Sequence, residues 1–82
     1  MKEIVNLYND CYNYLFSYGR LSAFEIIQKA VRVLKGIDEL KEIRLECAAL
    51  LGNWNKKDID TQGERADVLV EELSGYLGEY LA

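Results

Sequence analysis

Ser22-Ala23-Phe24-Glu25-Ile26-Ile27-Gln28-Lys29-Ala30-Val31-Arg32-Val33-Leu34-Lys35-Gly36 is the stretch whose reading decides the fold. Ser22 followed three residues later by Glu25 is a capping box. The serine oxygen can accept from the third helical N–H, and the glutamate can reach back to the cap. Leu21 before the cap and Ile26 after it are spaced as a hydrophobic staple. Phe24, Ile27, Ala30, Val31 and Leu34 then recur at steps of three and four, the period of one helix face. Lys29, Arg32 and Lys35 gather toward the carboxyl end, where cations favour the helix dipole, and Gly36 supplies the stop.

The same period extends in both directions. Upstream, Ile4, Leu7, Cys11, Leu15 and Tyr18 predict a helix from about Glu3 to Tyr18, ended by Gly19. Downstream, Asp38 reads as the cap of a helix over 39–51 with the stripe Leu40, Ile43, Cys47 and Leu50. Asn53 to Gln62 reads as a polar loop anchored by Trp54 and Ile59. Thr61-Gln62-Gly63-Glu64 has the spacing of a second capping box, opening a fourth helix to about Leu81. Its expected buried face is Ala66, Leu69, Val70, Leu73, Leu77 and Tyr80. Gly75 and Gly78 each cost about 1 kcal/mol against alanine in a helix interior, so the last two turns are expected to fray, the alternative being that they let another helix approach closely. No proline, strand pattern or internal repeat interrupts this reading. The fold class expected is all-α, a small bundle of three or four helices forming one helical domain over residues 1–82.

A chain of 82 residues leaves a thin margin of burial. Area scaling gives about 5,000 Å² exposed when folded against about 13,600 Å² unfolded, so self-association is expected to add to stability. No apolar run approaches the roughly 20 residues of a membrane span, and the first residues show no signal-peptide pattern. Two cysteines without such a signal lead us to expect a reducing, cytoplasmic setting. The absence of histidine excludes Ser-His-Asp and Cys-His catalysis and imidazole-ligated zinc.

Charge is uneven along the chain. Residues 1–57 carry nine basic and seven acidic side chains, whereas residues 58–82 carry seven acidic ones and Arg65 alone. The fourth helix is therefore a negative surface, poorly suited to phosphates. The row Lys29, Arg32 and Lys35 is the one candidate for nucleic acid. Three cations in a chain of net charge −4 make a weak counterion-release term, so the row reads as a solvated face with Glu25 and Lys29 paired across one turn.

Carboxylates recur at metal-site spacing. Glu39, Glu42 and Glu46 lie on one side of the third helix, and Glu64, Asp67 and Glu71 repeat the interval on the fourth. Facing rows would repel strongly unless a hard divalent cation lay between them, and magnesium prefers oxygen ligands. The bland reading is two solvated acidic flanks turned away from one another. Glu46-Cys47-Ala48-Ala49-Leu50-Leu51 followed by Glu64-Arg65-Ala66-Asp67-Val68-Leu69-Val70 resembles the MazG-like all-α nucleoside triphosphate pyrophosphohydrolases over about residues 37–81. That family pairs an ExxE motif on one helix with an ExxD motif on the next, and the acids hold magnesium, which carries the triphosphate for attack by water. The resemblance implies magnesium ligation by Glu46, Glu64 and Asp67, with Glu42 or Glu71 as a spare carboxylate orienting water. The sequence departs from the family at Ala49, which occupies the second acid of ExxE. Glu42, one turn before Glu46, is the candidate to replace it. No lysine or arginine follows Arg65 to meet phosphates.

Tyr8, Tyr12, Tyr14 and Tyr18 crowd the first helix beside Phe16 as two pairs rotated about the axis. One face of a small bundle cannot bury both pairs, and tyrosine favours interfaces, so these four are the expected contact residues. Cys11 and Cys47 fall on apolar stripes and read as core side chains. The leading functional expectation is a small acidic, non-enzymatic protein–protein interaction module of regulator or inhibitor type, binding a protein partner and forming homo-oligomers. The alternative is a degenerate MazG-like, magnesium-dependent hydrolase.

Overall fold

The computed structural model describes residues 2–17, 19–54 and 59–82, and among them it is all-α. Four α-helices follow in order: α1 (Lys2–Phe16), α2 (Ala23–Val33), α3 (Lys41–Gly52) and α4 (Ile59–Leu81), with a 3-10 turn at Asp38–Leu40 before α3. Tyr18, the expected end of α1, lies outside the described residues, as do residues 55–58 of the expected loop.

The α2 start forms as its sequence dictates. The Ser22 hydroxyl oxygen accepts from the Glu25 backbone N–H at 3.2 Å, and the Glu25 carboxylate accepts from the Ser22 N–H at 3.3 Å. Two backbone donors at the helix start thus find acceptors within one turn. Gly36, at φ +86°, lets the chain turn sharply after α2 in a backbone region that side chains disfavour.

Two other starts differ from expectation. Asp38 does not cap α3. It sits inside the 3-10 turn, whose cap residue is Ile37, and neither that turn nor α3 has a side-chain cap. Burial of Leu40, which is 2% exposed, fixes this entrance instead. Thr61 does not open α4 either, because the helix already runs from Ile59. Gln62 turns inward, and its amide Nε2 donates to the Asn53 carbonyl at 3.0 Å. The side chain thereby satisfies a carbonyl at the end of α3.

α2 and α4 form the central pair, packing on each other and on both remaining helices, while α1 and α3 flank them with no close backbone approach to one another among the described residues. The core holds Ile4, Leu7 and Cys11 of α1, Ala23, Ile26, Ile27, Ala30 and Leu34 around α2, Leu40, Ile43 and Cys47 at α3, and Ala66, Leu69, Val70, Leu73 and Leu77 of α4. Leu15, Phe24, Val31 and Leu50 of the expected stripes are only partly buried, and α2 is rotated enough to bury Ala23 and Ile26 in place of Phe24 and Val31. Tyr80 packs partly buried at its edge. Trp54 closes one end, its ring 4.7 Å from Phe24 at 54°. α4 continues through Gly75 and Gly78 to Leu81 without fraying. A Cβ built on Gly78 would lie 3.5 Å from the Tyr8 ring, so this glycine marks where α1 approaches α4.

Lys29 pairs with Asp10 of α1 at 2.5 Å rather than with Glu25. Glu25 instead serves the cap, accepting from the Ser22 hydroxyl as well as its N–H. The expected basic row thus loses one member to a clasp between α1 and α2.

Candidate functional site

A concavity opens between α3 and α4 among the described residues. It is a groove of about 730 Å³. Ala49 and Leu50 from α3 and Val68 and Leu69 from α4 give it an apolar surface, and Glu46, Glu64 and Glu72 stand along it with Arg65 as the cation. Asn53 and Gln62, joined by their hydrogen bond, lie at the end where the chain passes from one helix to the other. All three glutamates are exposed, as is Val68 at 55%.

The groove follows from helical phase. Leu69 and Val68 are adjacent, so Leu69 can enter the core at 8% exposure while Val68 projects beyond its edge. On α3, Cys47 is buried between Glu46 and the small Ala48 and Ala49. The short side chains bring little bulk to this flank, leaving space between the helices.

The expected metal ligands are not brought together. Glu46 and Glu64 share the groove, but Asp67 does not line it. Three residues on a helix subtend about 60° around its axis, enough to send Glu64 and Asp67 to different flanks. Asp67 accepts a hydrogen bond from the Tyr14 hydroxyl of α1. Glu42 is exposed on α3 and also lies outside the groove lining. Among the described residues, no group of three carboxylates or thiols is placed to hold a metal ion. Of the expected magnesium ligands, the fold brings Glu46 and Glu64 alone onto one surface. Ala49, standing at the second ExxE position, offers the groove a methyl group where a ligand would be required.

The four tyrosines have separate fates. Tyr8 packs partly buried against the core beside Gly78. Tyr14 is partly buried and bonded to Asp67, a contact that, with some burial, pushes its hydroxyl pKa up to about 12. Tyr18 lies outside the described residues. Tyr12 alone of the described three is exposed, at 51%, and its ring stands 5.0 Å from that of Phe16, which is 71% exposed. Val5, 40% exposed, lies two turns before Tyr12 on the same side of α1. Val5 and Phe16 were missed in the sequence reading. The i, i+7, i+11 spacing of Val5, Tyr12 and Phe16 was the available signal.

Both thiols are buried. Burial pushes the Cys11 thiol up to about 12, with Asp10 and Cys47 adding to the effect. Burial likewise pushes Cys47 up to about 12, reinforced by Glu46 and Glu72 beside the groove. Neither is poised as a nucleophile, because attack requires the thiolate.

Comparison with family models, with curated proteins and with solved structures finds no match to the chain. The MazG-like resemblance accordingly stands on its motif residues alone. No helix among the described residues is long and apolar enough to cross a membrane.

Proposed function

We propose that the protein is a non-enzymatic interaction module that self-associates and binds a protein partner. The observation carrying this reading is the exposed stripe Val5, Tyr12 and Phe16 on α1. Among the described residues Phe16 is the most exposed of the large apolar side chains, and its ring lies tilted against that of Tyr12, itself half open to water. Aromatic side chains with this exposure are enriched where proteins meet, since they remove much apolar area from water at low conformational cost. The stripe carries no charge of its own, so two copies can approach along it without opposing like charges.

Sedimentation equilibrium up to millimolar concentration tests the proposal. Wild type should show concentration-dependent association, and Tyr12→Ser with Phe16→Ser should shift it toward monomer while the melting curve stays cooperative. A wild type that is monomeric throughout, or a double variant that associates equally, would remove the stripe as an interface.

A second reading, a degenerate MazG-like hydrolase, is favoured by one observation: Glu46 and Glu64 open onto one groove. Magnesium titration by calorimetry of wild type and Glu64→Gln decides it. Saturable binding lost in the variant supports this reading, and identical titrations remove it.

A further inference from the structure

We infer that the groove between α3 and α4 receives a basic amphipathic helix of a partner protein. The inference rests on the interaction-module reading and names the chemistry of the partner at a second surface, away from the α1 stripe.

Shape and charge both specify this occupant. The lining on α4 runs from Gln62 to Glu72 and on α3 from Glu46 to Asn53. At 1.5 Å per residue these walls are about 15 Å and about 10 Å long, two to three turns of a docked helix. Ala49, Leu50, Val68 and Leu69 offer apolar contact to side chains spaced at i, i+3, i+4 and i+7, the anchor pattern of helix-in-groove recognition. The 730 Å³ volume holds several such side chains. Glu46, Glu64 and Glu72 along the groove are opposed only by Arg65, so lysine or arginine flanking the apolar anchors meets complementary charge.

Other occupants fit less well. A second copy of this chain would offer its exposed stripe Val5, Tyr12 and Phe16, which carries no cation for Glu46, Glu64 and Glu72. A bare cation would find no group of three ligands and would leave the apolar lining uncovered.

The test uses the intact protein and a synthetic peptide of roughly 18 residues, long enough to hold helical structure. Its leucines are placed at i, i+3, i+4 and i+7 and its remaining positions are lysine and alanine; a twin carries glutamate for lysine. Titration followed by amide chemical shifts reads both affinity and position. The lysine peptide should bind, with shifts concentrated on residues 46–53 and 62–72, and the glutamate twin should not. Glu64→Lys combined with Glu72→Lys should weaken binding about tenfold or more, and Val68→Ser should also weaken it. Glu79→Lys, which reverses an exposed charge on α4 outside the groove, should change affinity less than about twofold. Absent binding, shifts spread over the acidic surface, or equal weakening by Glu79→Lys would overturn the inference. Self-association through Tyr12 and Phe16 would survive such a failure, so the two outcomes separate.

Discussion

The Tyr14 hydroxyl donates to the Asp67 carboxylate, tying α1 to the outer flank of α4. This one bond explains why acids three residues apart on α4 do not act together: Glu64 faces the groove while Asp67 is held toward α1. It also explains why Tyr14 is unsuited to an external interface, since its polar end already has a partner.

Removing either member should weaken the α1–α4 junction modestly. Tyr14→Phe and Asp67→Asn are each expected to cost about 1 kcal/mol or less, because the bond is exposed and screened by solvent. The double variant should cost less than the two singles together, with about 0.5 kcal/mol of coupling in a double-mutant cycle. Strict additivity in urea unfolding would show that the bond contributes nothing to stability.

Alkaline pH should destabilise the fold. Cys11 and Cys47 titrate at about 12 when folded against 9.0 in the ordinary thiol, and Tyr14 at about 12 against 10.0. The folded chain therefore holds more protons than the unfolded chain from pH 9 upward. Stability contributed by these groups is complete below pH 9 and declines as pH rises toward 12. Melting temperatures should fall across this window, and Tyr14→Phe should remove part of the decline above pH 10. In native buffer both thiols should alkylate slowly, then react at once in denaturant. Rapid native alkylation would contradict their burial.

Glycine replacements should act in opposite directions. A Cβ at Gly75 meets open space on a helix that continues past it, so Gly75→Ala should stabilise by about 1 kcal/mol. Gly36→Ala should destabilise by about 1–2 kcal/mol, because alanine must adopt the same positive φ. Thermal melts of the two variants provide the comparison.

Loss of the α2 cap should be felt by the whole bundle, since α2 touches every other helix. Ser22→Ala should cost about 1 kcal/mol in urea unfolding, while Ser22→Asp, which keeps an acceptor, should restore most of it. Equal stability of Ser22→Ala and wild type would show that packing of Ile26 and Ile27 alone holds this end.

Much of the fold was legible in the sequence because its determinants are local. The Ser22–Glu25 box closes within three residues, and the stripes Leu40-Ile43-Cys47 and Ala66-Leu69-Val70-Leu73-Leu77 record burial in their own period. The starts of α3 and α4 were misread where a plausible cap competed with packing. Leu40 is buried on a 3-10 turn that displaces Asp38 from the cap position, and Gln62 is drawn inward to the Asn53 carbonyl, three residues past the Ile59 start that the Thr61 spacing placed later.

The sequence by itself determined an all-α chain, most of the residues of its core, its acidic carboxyl-terminal segment over 58–82 and the absence of imidazole chemistry. These are matters of period and composition, and no long-range contact can change them. Only the tertiary structure decided which polar groups meet. It joined Tyr14 to Asp67 across fifty-three residues and Lys29 to Asp10 across nineteen. It put Glu46, Glu64 and Glu72 on one groove and left Phe16 in water. Helical period fixes the angle of each side chain about its own axis, but the packing of one helix on another decides what that angle faces.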